Sequence, residues 1–141
     1  MGSIMITNGT LVDGGGTRRA DLLVQNGVIA EVGEKLDGDT IIDADGLVVT
    51  PGFVDLQVHL REPGSEEAET IQTGSRGAAL GGFTAVVVMP NTTPTIDSAA
   101  VVRQIHDLSI DALCEVVPSA AITVDRDGEA LTPMAELVRS G

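Results

Sequence analysis

Two side chains able to hold a metal ion stand close together in the run Asp55-Leu56-Gln57-Val58-His59-Leu60-Arg61-Glu62-Pro63-Gly64. Gln57 offers an amide oxygen and His59 an imidazole nitrogen, both possible ligands. Upstream, Thr50-Pro51-Gly52 makes a turn and strict alternation begins, which predicts a strand over 53–60. Alternation puts Phe53, Asp55, Gln57 and His59 on one face and Val54, Leu56, Val58 and Leu60 on the other, the apolar face expected to lie under helices. Residues two apart on a strand are roughly 6.5–7 Å apart at the backbone, a spacing that two ligands can bridge to one ion. Gln57 and His59 are thus a candidate metal seat at the C-terminal end of a strand.

The elements around this stretch fall into two regimes. Over residues 1–50, Asn8-Gly9, Asn26-Gly27 and Asp45-Gly46 each supply the positive φ angles of a tight hairpin, with aliphatic or β-branched residues on both sides. They predict a small antiparallel module with strands near 4–7, 20–25, 28–32, 41–43 and 47–50. Gly14-Gly15-Gly16 lacks the strand-to-helix setting and the Lys-Ser/Thr of a phosphate loop and reads as a flexible loop. Over 51–141, strand-like runs at 53–60, 83–89 and 112–118 begin about thirty residues apart, the length of a strand-helix-strand unit. The gaps predict helices over 67–80, after an Asp97 cap with Val101, Val102, Ile105 and Leu108 on one face, and over 134–139 with Thr132 as N-cap and Pro133 in the first turn. Three βα units in series imply an α/β fold with a parallel sheet.

Composition narrows the function. The net charge is −13, from 21 acidic and 8 basic residues with no basic run, which excludes the clustered cations that a nucleic-acid backbone requires. With two Phe and no Trp or Tyr, the core must come from aliphatic residues. The single Cys114 lies in an apolar run and reads as a buried structural thiol. The aliphatic stretch 85–89 is far too short to span a bilayer. No membrane is expected, and the cytoplasm is the expected location.

The run His59-Leu60-Arg61-Glu62-Pro63-Gly64, with Glu69-Thr70, Gly81-Gly82-Phe83-Thr84 and Met89-Pro90-Asn91-Thr92 downstream, resembles bacterial-type dihydroorotase of the amidohydrolase superfamily. The resemblance covers the whole chain. It implies part of a small β-sandwich over 1–50 and the first three βα units of an incomplete TIM-type (β/α)₈ barrel over 51–141. It further implies a zinc enzyme that interconverts N-carbamoyl-L-aspartate and L-dihydroorotate in pyrimidine biosynthesis. Zinc lowers the pKa of its bound water to about 7 and polarises the carbonyl under attack. Carried over residue by residue, His59 is the second His of a His-x-His pair, and Arg61 and Asn91 grip the substrate carboxylate. The first His is replaced by Gln57, so either one metal is held by fewer protein ligands or the metal is weak or absent. Asp55 takes a structural hydrogen-bonding role deeper in the barrel.

A closed barrel takes about 250 residues, so the chain is expected to be the N-terminal part of a longer enzyme. The catalytic Asp and the other metal ligands would lie beyond Gly141, leaving no catalytic residue within 1–141. His106, mid-helix beside Asp107, reads as a solvated surface imidazole. The acidic cluster Glu62, Glu66, Glu67 and Glu69 reads as negative charge placed at the start of the following helix. Small-molecule substrate is the expected ligand, with a homo-oligomer or aspartate transcarbamoylase as possible protein partners. Gln57 motivates a second reading, a non-catalytic dihydroorotase-like partner of aspartate transcarbamoylase. A third is another cyclic amidase, such as a hydantoinase or allantoinase.

Overall fold

A computed structural model describes residues 2–141 and divides the chain into two units, one ending at Pro51 and one spanning Gly52–Gly141. The first unit has strands β1 (Ser3–Thr7), β2 (Thr10–Asp13), β3 (Gly16–Arg19), β4 (Asp21–Gln25), β5 (Val28–Gly33), β6 (Thr40–Asp43) and β7 (Val48–Val49). They form a four-stranded sheet, β5-β4-β1-β6, and a three-stranded sheet, β3-β2-β7. Met5, Leu11, Leu22, Leu23 and Ala44 are its buried apolar residues.

This unit is mixed, not antiparallel: β6 runs parallel to β1, and β7 parallel to β2. Of the three turn dipeptides only Asn26-Gly27, at φ 52° and 79°, closes a hairpin, between β4 and β5. Asn8-Gly9 and Asp45-Gly46 instead carry the chain from one sheet to the other. Such dipeptides report a local reversal, and pairing is decided by where the next apolar face finds cover. The glycine triplet is no free loop; it lies at the tip of the β2–β3 hairpin. Arg18 bolts that hairpin with two bonds to the Asp13 carboxylate, at 2.9 and 2.8 Å.

The second unit is a mixed α/β layer: β8 (Phe53–Val58), α1 (Ile71–Leu80), β9 (Phe83–Val88), α2 (Ala99–Leu108), β10 (Glu115–Pro118) and α3 (Met134–Ser140), with a 3-10 turn at Val124–Arg126. The strands form a parallel sheet in the order β10-β9-β8. It is open, and no closed barrel is formed. Ile71, Val86, Val88, Ile96, Val102 and Ile105 form the centre of its core. None of the helices is long and apolar enough to cross a membrane, among the described residues.

Several local expectations change. The alternation of β8 is broken: Asp55 pairs with Val86 but Val58 with Val88, so two β8 residues oppose one β9 residue. This is a bulge. It turns Val58 and Leu60 toward the core but leaves Val54 and Leu56 54% and 72% exposed, where alternation had them covered. Asp55 has a hydrogen-bonding role here, its carboxylate accepting the Gln57 amide at 2.9 Å across the bulge. Helix α1 starts at Ile71, not at residue 67, because Thr70 and Thr73 form a reciprocal capping box there.

Asp97 does not cap α2; Ser98 holds the N-cap position and Asp97 accepts the Asp125 amide at 2.9 Å. Val101, Val102 and Ile105 are buried as the periodicity predicts, whereas Leu108 at the helix end is 37% exposed. Thr132 does not cap α3 either. Pro133 occupies the N-cap position, and the buried Thr132 hydroxyl donates to the Ala121 carbonyl at 2.9 Å. Strand β10 is shorter than predicted, starting at Glu115. Cys114 just before it is partly buried against the core, and that burial pushes its thiol pKa up. A raised thiol pKa disfavours the nucleophilic thiolate.

Candidate active site

Of the candidate site residues, Gln57 lies within β8, while His59, Arg61 and Asn91 lie on the loops that leave the C-terminal ends of β8 and β9. The parallel ladder continues one residue past β9, with Met89 N–H donating to the Val58 carbonyl at the end of β8 at 2.9 Å. The two chains therefore leave the sheet side by side, with His59 on one and Asn91 on the other. Their side chains meet: His59 Nδ1 lies 2.7 Å from Asn91 Oδ1. Both residues are exposed.

After Leu60, which is buried, the chain reverses sharply at Arg61. The Glu62 amide donates to the Leu60 carbonyl at 2.8 Å around Arg61 at φ 63°. An i to i+2 bond around a positive φ is a γ-turn of the strained kind, and such strain clusters at functional sites. The turn exposes the guanidinium. The ion pairs among the described residues are Arg18–Asp13 and Arg19–Asp45, so Arg61 has no intramolecular carboxylate partner there. Neither Glu62 nor Glu66 neutralises it.

Both glutamates are engaged with backbone amides. Glu62 Oε2 accepts the first amide of α1, Ile71 N–H, at 2.7 Å, placing a carboxylate at the positive end of that helix. Glu66 accepts the Gly64 amide at 2.7 Å, and that bond holds its carboxyl below the usual carboxylate range. The two loops are laced together by Thr93 N–H donating to the Pro63 carbonyl at 3.0 Å. Gly64, at φ 106°, packs so closely on Thr93 that a Cβ would collide with it. Within the second loop, Thr92 Oγ1 donates to the Pro94 carbonyl at 2.7 Å and Ile96 N–H to the Pro90 carbonyl at 3.3 Å. These bonds fix the backbone on both sides of Asn91.

Beside His59 lies a cavity of about 310 Å³, whose lining includes Asp55, Leu60 and Glu69 with Gly74 and Gly77 of α1. Gln57 does not line it. Among the described residues no group of three or more His, Cys, Asp or Glu side chains could hold a metal ion. One imidazole and one amide do not make a zinc site by themselves. His106 is exposed on α2, as expected. The His59–Asn91 bond was missed by sequence reasoning, whereas the Glu62 carboxylate at the start of α1 is the placement of negative charge that the acidic cluster predicted. The His59–Asn91 bond joins residues separated by 32 positions, and no local pattern signals it.

A family model described as dihydro-orotase-like matches residues 46–141. The chain belongs to that family. Among curated relatives, this dihydroorotase-like chain is 46% identical over 142 residues to the dihydroorotase of Caldanaerobacter subterraneus subsp. tengcongensis, covering 98% of this chain and 33% of that protein. It is 45% identical over 145 residues to the dihydroorotase of Citrifermentans bemidjiense, covering 99% and 34%. Among solved structures it is similar to the L-hydantoinase (dihydropyrimidinase) of Arthrobacter aurescens, with a TM-score of 0.76 at 25% identity, covering 87% of this chain and 28% of that one. The dihydroorotase-like chain spans about a third of the length of the curated relatives it matches.

Proposed function

We propose that the chain is the opening third of a dihydroorotase: residues 1–50 part of a small β-sandwich, and 51–141 the first three βα units of a (β/α)₈ barrel. The observation that carries the reading is Arg61, a cation with no carboxylate partner among the described residues, held on a strained turn beside the loop of Asn91. A planar fork and an amide donor on neighbouring loops suit the carboxylate that N-carbamoyl-L-aspartate keeps on ring closure. In that closure the carbamoyl nitrogen bonds to the side-chain carboxyl carbon and water leaves; hydrolysis of L-dihydroorotate is the reverse.

In this reading His59 supplies one ligand to a zinc ion, and the remaining ligands and the catalytic Asp belong to residues beyond 141. Zinc when bound would activate water and polarise the carbonyl. The residues of this chain bind and orient the substrate, which is a small molecule handled in the cytoplasm. The first experiment is zinc analysis of the full-length protein together with turnover of dihydroorotate and of hydantoins lacking a carboxylate. Tightly held zinc with selective dihydroorotate turnover supports the reading. Preference for hydantoins would favour the hydantoinase reading, which the structural neighbours motivate.

Gln57 motivates the other reading, a non-catalytic partner of aspartate transcarbamoylase. A protein without zinc or turnover that co-elutes with that enzyme, and that gains both on Gln57→His, would establish it.

A further inference from the structure

We propose that Asn91 is a positioning residue for His59, its side-chain carbonyl holding the imidazole as the Nδ1–H tautomer and leaving Nε2 unprotonated and free to accept. The 2.7 Å separation of His59 Nδ1 and Asn91 Oδ1 requires a hydrogen between them, and an amide oxygen can only accept it. A neutral imidazole carries one ring hydrogen, so the lone pair is left at Nε2. The Pro90–Ile96, Thr92–Pro94 and Pro63–Thr93 bonds fix the loop backbone from which the Asn91 side chain reaches His59. His59 is likewise fixed by the ladder that reaches Met89.

Orientation of an imidazole through its second nitrogen is how ligand histidines are given one tautomer. The same amide keeps both Nδ2 hydrogens, which make no bond among the described residues. One side chain can therefore set the His59 tautomer with its oxygen and bind a carboxylate with its nitrogen. What Nε2 then accepts, a metal ion or a proton, rests on the dihydroorotase reading; the tautomer itself does not.

The test reads the ring nitrogens of His59 directly. Long-range ¹H–¹⁵N correlation spectra of the zinc-free full-length protein, ¹⁵N-labelled at histidine, are recorded about two units above the usual imidazole pKa of about 6.5. His59→Gln assigns the His59 ring pattern by its loss. The native His59 ring is expected as Nδ1–H, against the Nε2–H pattern that an unconstrained imidazole prefers. Asn91→Ala should shift the His59 ring nitrogens to the unconstrained pattern, and Asn91→Asp, which keeps an acceptor, should restore Nδ1–H. An Nε2–H pattern for His59 in the native chain would overturn the proposal without need of any variant. So would an unchanged His59 pattern in a folded Asn91→Ala chain. Lack of dihydroorotate turnover by the full-length protein would instead sink the functional reading and leave the tautomer result standing.

Discussion

Arg61 separates a binding role from a merely structural one. Its guanidinium is unpaired within the described residues, so Arg61→Ala removes no ion pair from the fold. In the full-length enzyme the substitution should raise KM for dihydroorotate roughly ten-fold or more, the size of a lost charged hydrogen bond of about 1.5–3 kcal/mol. Zinc content should not change. Steady-state kinetics with metal analysis check both, and an unaltered KM would remove Arg61 from the site. Gln57 poses the complementary question at the same scale. Its backbone amide serves the β8 bulge through Asp55, so its side chain is not needed for that bond. Gln57→His should therefore leave the far-UV circular dichroism unchanged while strengthening zinc retention, measured by competition with a chelator.

At the level of elements, glycines in and before α1 should respond in opposite ways to the same added methyl. Gly64 sits at φ 106° with Thr93 against it, and Gly64→Ala should cost about 1–3 kcal/mol, the range for a residue held in a sparsely populated backbone region. Gly77 lies in the helix with nothing within 4 Å of an added Cβ, so Gly77→Ala should stabilise by about 0.8–1 kcal/mol. Thr70→Ala removes the capping hydroxyl that accepts Thr73 N–H at 3.1 Å and should cost about 1 kcal/mol. The chain has no Trp or Tyr, so denaturant unfolding followed by circular dichroism is the suitable measurement. Equal responses at Gly64 and Gly77 would contradict the close packing of the two site loops.

At the level of the whole molecule, acid should act on the first unit through Asp21. Its carboxylate accepts the Thr7 hydroxyl at 2.7 Å and the Asn8 and Lys35 amides at 3.2 Å each, and these bonds hold its pKa below the usual carboxylate value. A lowered folded pKa means that the stabilisation is complete above the ordinary carboxylate range and is lost as pH falls through the folded value. Asp21→Asn should therefore flatten the acid limb of the stability profile, measured by denaturant midpoints at descending pH. Exposed Val54 and Leu56 on β8, Ile122 and Val138 leave the second unit with much uncovered apolar surface. The 141-residue chain is accordingly expected to self-associate, visible by light scattering, and to show no dihydroorotate turnover.

The sequence by itself carried the periodicities and the short motifs. Val101, Val102 and Ile105 read as a buried helix face because 3.6-residue spacing depends only on local geometry, and Asn26-Gly27 read as a hairpin because positive φ is a local property. His59, Arg61 and Asn91 were singled out by residue type and motif. What those residues meet was not. The bulge that breaks β8 alternation depends on the register against β9, and the His59–Asn91 bond depends on two strands ending at the same level. The caps show the same limit: Asp97 and Thr132 had the right chemistry for helix starts, but partners distant in sequence compete for their oxygens. Local energies choose the elements; only tertiary packing decides which side chains end up within hydrogen-bonding distance.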